Sequence, residues 1–190
     1  MVDYMVHETS GTRAIRYAGL VVAIHWLSAA LILSQIYLGF AFADLPKGSA
    51  ERAELFTLHK TVGVAILLLA LARLAVRLID APPPYPTSFP KWERRVAVWS
   101  HRLFYFLMIA LPVTGLAAVS KRAVGGWTDL VGGSWFPVVP IPALGGGHEL
   151  LAFALIGLVV LHIFAALKNQ FLTGGPVAGR MPPFRATDKG

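Results

Sequence analysis

The sequence predicts an all-α membrane protein: a four-helix transmembrane bundle with both termini in the cytoplasm. Three observations predict it. Apolar residues make up 56% of the 190 residues and charged ones only 14%, against about 25% charged in a soluble domain. Four long apolar runs follow one another along the chain. The 17 Lys and Arg residues are also sided once those runs are taken as spans. Twelve (Arg13, Arg16, Arg73, Arg77, Lys91, Arg94, Arg95, Arg102, Lys168, Arg180, Arg185 and Lys189) fall with the termini and the second loop, and five (Lys47, Arg52, Lys60, Lys121 and Arg122) fall opposite. A cation excess marks the cytoplasmic face.

The first run, residues 17–43, holds no charge at all, and about 20 helical residues cross a hydrocarbon core of about 30 Å. The second covers 58–79, with Arg73 and Arg77 near its end. The third covers 103–120 and starts earlier, near Val96. The fourth covers 150–167, extended by a turn at each end. Buried helices of a soluble protein are the competing reading, and four such runs with so few charges between them argue against it. Between the second and third runs, Pro82, Pro83, Pro84, Pro86 and Pro90 predict an extended, non-helical linker. Residues 125–147 are rich in Gly and Pro and carry Trp127, Trp135 and Phe136, which suits a loop at the membrane interface. The expected organisation is a cytoplasmic segment 1–16, a transmembrane domain 17–170 and a cytoplasmic tail 171–190.

Composition also excludes. The net charge of +7 is not gathered into a basic run with interleaved aromatics, so a nucleic-acid partner is not expected. No cysteine is present, which removes disulfides, thiolate metal sites, iron–sulfur ligation and covalent haem attachment through C-x-x-C-H. The first 16 residues are polar and mixed, and the first apolar run is too long for the core of a cleavable signal, so the first helix is expected to direct insertion.

Histidine carries the chemistry. Of six, His7 lies in the polar N-terminal segment and the other five lie in or at the ends of the spans, where ionisable groups are costly and functional by default. Depth sorts them into two layers: His59 and His148 outside, His25, His162 and His101 on the cytoplasmic side. His148 and His162 are 14 residues apart, so they lie within about 40° of one helix face and roughly 21 Å apart along the axis. One helix can thus offer an axial ligand to each of two stacked haems. The same offset leads from His59 to Arg73, a cation suited to a haem propionate. It also leads from His25 to Gly39 and from His101 to Gly115, where glycine either admits a flat macrocycle or serves ordinary helix packing. Paired imidazoles suffice for haem, whereas a closed zinc or copper site needs three or four convergent ligands. A histidine-lined transporter without haem is a further class.

These residues stand in motifs that resemble the bacterial cytochrome b561 family, itself similar to the b-type subunits of nickel–iron hydrogenases and formate dehydrogenases. The stretches are Ala23-Ile-His25-Trp26-Leu27, Leu58-His59-Lys60-Thr-Val-Gly63, Arg73-Leu-Ala-Val-Arg77, His101-Arg-Leu-Phe-Tyr105, Leu111-Pro112-Val-Thr-Gly115, Gly147-His148-Glu149, His162 and Arg180-Met181-Pro182. The resemblance implies a four-helix bundle in the bacterial inner membrane with two haems b. His59 and His148 would hold the outer haem iron, and His25 and His162 the inner. His101 is then placed near a quinone headgroup or propionate, or replaces His162 as ligand. Family members often have a further histidine where this chain has Lys168-Asn169-Gln170, which bears on the quinone site. The implied activity is superoxide:ubiquinone oxidoreduction: superoxide, a small donor, at the outer face, with Lys60 beside His59 attracting the anion, and ubiquinone as substrate on the cytoplasmic side. The competing reading is a haem-bearing anchor that passes electrons from a partner redox protein, a dehydrogenase or hydrogenase, to quinone.

Overall fold

The computed structural model describes residues 6–7, 14–15, 19–79, 84–85, 87, 89–120, 146–174 and 177–184. Four helices run through them: α1 Gly19–Ala43, α2 Ala50–Ile79, α3 Lys91–Ser120 and α4 His148–Leu172. All four are long and apolar enough to cross a membrane, and they make an all-α bundle. The remaining regular structure among the described residues is small. A two-residue antiparallel ladder joins β1 (Val6–His7) to β2 (Ala14–Ile15), and a 3₁₀ turn covers Ala178–Arg180. The loop of 125–147 with Trp127, Trp135 and Phe136, and the cations Lys121 and Arg122, lie outside the described residues, apart from Gly146 and Gly147.

Helices α2 and α3 begin earlier than hydropathy alone suggests. The first turns of α2 are polar, and what starts them is capping. Pro46 to Ser49 form a turn closed by Ser49 N–H donating to the Pro46 carbonyl at 3.2 Å, with Gly48 at φ 90°, a conformation open to glycine. Ser49 then caps α2: its Oγ accepts from Arg52 N–H at 3.3 Å, and its carbonyl accepts from Ala53 N–H at 3.2 Å. Helix α3 starts directly after Pro90, whose carbonyl accepts from Arg94 N–H at 3.0 Å. Glu93 in that first turn faces the positive end of the helix dipole. The described parts of the proline linker are non-helical, with Tyr85 and Phe89 stacked at 5.4 Å and Arg94 over the Tyr85 ring.

The chain divides into two compact units. One comprises Met1–Leu27, Ala72–Leu103 and Gly157–Gly190, and the other Ser28–Leu71 and Phe104–Ile156. The second has a slim core of Ile32, Leu38, Ile66, Ala70, Leu107, Met108, Leu111 and Ala117. In the first, Asn169 and Arg180 are buried polar groups with work to do. Asn169 Oδ1 accepts from Val177 N–H at 3.2 Å, and Arg180 donates to the Pro84 carbonyl at 2.7 Å. Trp26 Nε1–H donates to the Pro182 carbonyl at 2.6 Å, so the tail is tied to the start of α1. Large apolar side chains face outward along the spans: Tyr37 is 71% exposed, Phe164 67% and Leu68 61%. Such surface is costly in water at about 25 cal/mol per Å² and is what a lipid-facing helix requires.

Arg52 ties the start of α2 to the end of α1. Its guanidinium donates to the carbonyls of Phe42, Ala43 and Leu45, the last at 2.8 Å, and so satisfies acceptors that the end of α1 leaves open. Arg52→Ala is expected to cost about 1–3 kcal/mol, the range for hydrogen bonds from a charged donor, and Arg52→Lys to recover part of it. Thermal unfolding of the detergent-purified variants measures both.

Candidate functional site

His59 and His148, the pair assigned to the outer layer from sequence, sit in one unit and come together. His59 stands at the start of the apolar part of α2 and His148 is the first residue of α4. Their ring centroids are 6.3 Å apart at an interplanar angle of 77°. Each ring lies across a glycine of a neighbouring helix. A Cβ on Gly39 of α1 would stand 3.5 Å from His59 Cε1, and a Cβ on Gly115 of α3 would stand 3.0 Å from His148 Cε1. Gly39 and Gly115 therefore make room for imidazoles, a use of glycine that neither sequence reading of them contained. The His148 Nδ1–H donates to the Leu111 carbonyl at 3.0 Å, with Thr114 Oγ1 at 3.2 Å. The Thr114 hydroxyl itself donates to the same carbonyl at 2.9 Å. That tautomer leaves the His148 Nε2 lone pair available as a ligand. A cavity of about 400 Å³ opens beside the pair, lined by His59, His148, Gln35, Phe42, Arg52, Lys60, Gly63 and Gly115.

The inner histidines lie together in the other unit. His25 and His162 have ring centroids 6.4 Å apart, and His101 stands edge-on to His162 at 5.7 Å. His101 Nδ1–H donates to the Ala97 carbonyl at 2.6 Å, one turn back on its own helix. Arg73 reaches this cluster, where its Nη1–H donates to His25 Nδ1 at 3.2 Å. Trp26 packs edge-on against His25 at 5.3 Å, with Phe184 of the tail 6.4 Å beyond it. Among the described residues no group of three His, Cys, Asp or Glu converges as a closed metal site requires.

Other candidates have different tasks. Arg52, read from sequence as one of the outer cations, has its guanidinium on the carbonyls of α1. Lys60 lines the outer cavity, with Nζ 5.0 Å from the Phe56 ring centre. Lys168 pairs with Glu93 at 2.8 Å and lies over Trp92, while Asn169 holds the tail. The sequence reading missed Gln35, Thr114 and the Leu111 carbonyl. Gln35 carries a signal that was available, a polar side chain inside an uncharged span; a backbone acceptor carries none.

Histidine pairs facing one another on apolar helices, in a chain without cysteine, are the arrangement that a membrane-embedded b-type cytochrome requires. The family model described as prokaryotic cytochrome b561 matches residues 16–183, and the chain belongs to that family. It is similar to cytochrome b561 homolog 2 of Escherichia coli (strain K12), with 27% identity over 179 residues covering 92% of this chain and 95% of that protein. It is also similar to a Yersinia pestis protein named "Probable superoxide oxidase CybB", at 28% over 184 residues, 88% of this chain and 96% of that one. A third relative is cytochrome b562 of Cereibacter sphaeroides, at 28% over 160 residues, 82% and 88% of the two chains. The chain is thus a multi-pass protein of the bacterial inner membrane, and its family binds haem b and transfers electrons.

The histidine geometry fits that cofactor. Metal–nitrogen bonds of about 2 Å, with each ring centre about 1 Å behind its nitrogen, set two imidazoles on opposite sides of one iron on the order of 6 Å apart. Both the His59–His148 and the His25–His162 spacings match this. The glycine contacts rank two substitutions. Gly39→Ala meets His59 at ordinary contact distance and is expected to be near neutral. Gly115→Ala presses on His148 and is expected to cost about 1–3 kcal/mol, as overpacking does. Melting curves and pigment content of the two purified variants check the order.

Proposed function

We propose that this protein is a di-haem b cytochrome that oxidises superoxide at the outer membrane face and reduces ubiquinone on the cytoplasmic side, where both termini lie. The carrying observation is the pair of imidazole spacings, 6.3 Å for His59–His148 and 6.4 Å for His25–His162, in a chain of this family. In this reading His59 and His148 hold the outer iron, and His25 and His162 the inner. The relative named as a superoxide oxidase supports the choice of donor. The overall reaction balances as two superoxide anions, one ubiquinone and two protons giving two O₂ and one ubiquinol. Haem held by these residues supplies one-electron transfer.

The chain's own groups have separable tasks in this scheme. The Leu111 carbonyl and Thr114 hydroxyl fix the tautomer of His148, so that Nε2 carries the lone pair. Arg73 stands at the inner layer with its guanidinium on His25. For His25 to bind iron through Nε2, its Nδ1 would have to carry the proton, so Arg73 would have to leave Nδ1 and would be free to pair with a haem propionate. His101 keeps its Nδ1–H on Ala97 and offers Nε2 to a quinone headgroup or a propionate. Lys60, on the turn of His59 and at the edge of the outer cavity, draws an anion towards that side.

Two measurements test this. A reduced-minus-oxidised spectrum with haem quantified per chain is expected to give two haems b, with superoxide reducing them. His59→Ala and His148→Ala are each expected to remove the same haem, leaving roughly half the pigment. Two haems that superoxide leaves oxidised would instead point to an anchor fed by a partner dehydrogenase or hydrogenase. Lys60→Gln is expected to slow reduction by superoxide about two- to tenfold at low salt, with the difference fading as ionic strength rises and screens the charge. Stopped-flow rates over a salt series read this directly.

A further inference from the structure

The two outer histidines are anchored unequally. His148 has its Nδ1–H committed to Leu111, with Thr114 alongside. His59 Nδ1 is buried and makes no hydrogen bond. A histidine bound to iron through Nε2 must carry its proton on Nδ1, and a buried N–H without an acceptor costs about 1–3 kcal/mol. An acceptor for it is therefore to be sought within the cavity wall.

Gln35 meets the requirement twice over. Its Nε2–H donates to the His59 backbone carbonyl at 3.0 Å, so its carboxamide already lies against this residue. Its Oε1 is likewise buried without a hydrogen-bond partner, and both side chains line the same cavity. A buried Nδ1 and a buried Oε1, neither with a hydrogen-bond partner, thus belong to two residues already joined by one hydrogen bond. Glycines on both helices permit the approach. A Cβ on Gly63 would stand 3.2 Å from Gln35 Nε2, and a Cβ on Gly39 would stand 3.9 Å from His59 Nδ1. Gly39 lies one turn beyond Gln35 on α1, so the ring and the carboxamide share one face of that helix.

We propose that Gln35 is the positioning residue of His59: its Oε1 accepts the Nδ1–H when His59 serves as an axial ligand, as the Leu111 carbonyl does for His148. The inference rests on the ligand reading above and extends it to a side chain that touches neither substrate nor iron. An acceptor on Nδ1–H makes imidazole a stronger donor and favours the ferric state, so Gln35 holds the outer potential down. The Gln35 backbone carbonyl is the competing acceptor near the His59 ring, and a side-chain substitution leaves it in place, which makes the two separable.

The experiment is a redox titration of the purified full-length protein, with haem counted per chain, for wild type, Gln35→Leu, Gln35→Glu and His59→Ala. Gln35→Leu is expected to keep two haems and to raise the potential of one component only, the one that His59→Ala removes. The expected size is up to a tenfold change in the oxidised-to-reduced ratio, about 59 mV for one electron. Gln35→Glu is expected to lower the same component, and it decides the matter alone should Gln35→Leu lose the haem. Unmoved potentials in a Gln35 variant that retains both haems would overturn the proposal and leave the backbone carbonyl as the acceptor. If His59→Ala kept both haems, the ligand reading would fall and this proposal with it, a result distinct from an unmoved potential.

Discussion

Inside a bilayer no water is on hand to complete a hydrogen bond, and the rest of this structure depends on how that shortage is met. Backbone groups are satisfied within each helix, which is why the spans are helices at all. The difficulty moves to helix ends and to imidazole nitrogens. Arg52 answers it at the end of α1 by donating to three carbonyls. His148 answers it by giving its Nδ1–H to a carbonyl of α3, and the Thr114 hydroxyl shares that same acceptor. These are solutions between helices, and they fix which helices meet and at what height.

The glycines follow from this. A ring that is to reach a neighbouring backbone must lie flat against it, and at Gly115 the allowance is so small that one added carbon would touch His148 at 3.0 Å. Gly39 leaves slightly more room for His59. The two sides of the outer cavity are alike in plan and unlike in tightness, so substitutions on α1 and α3 are not interchangeable.

The four spans were legible in the sequence because hydropathy and length are properties of single segments. The histidine pairs were expected for a related reason: helical geometry turns a spacing of 14 residues into a depth and a face, and Arg73 stands beside His25. The early starts of α2 and α3 were not, since capping by Ser49 and the turn before it set the first, and Pro90 the second, where hydropathy is silent. Nor was the anchoring of the rings. Leu111 acts through its carbonyl, which is the same for every residue type, and Arg52 reads as a surface cation until its acceptors are seen. Gln35 stood out as polar in an uncharged span, but only the fold brings it to His59.

The bond from Trp26 to the Pro182 carbonyl links positions 156 residues apart. Chain growth runs from the N-terminus, so Trp26 enters the membrane long before its acceptor has been synthesised. The neighbourhood of His25 therefore stays unfinished while the four helices insert, until the segment around Pro182 has followed them.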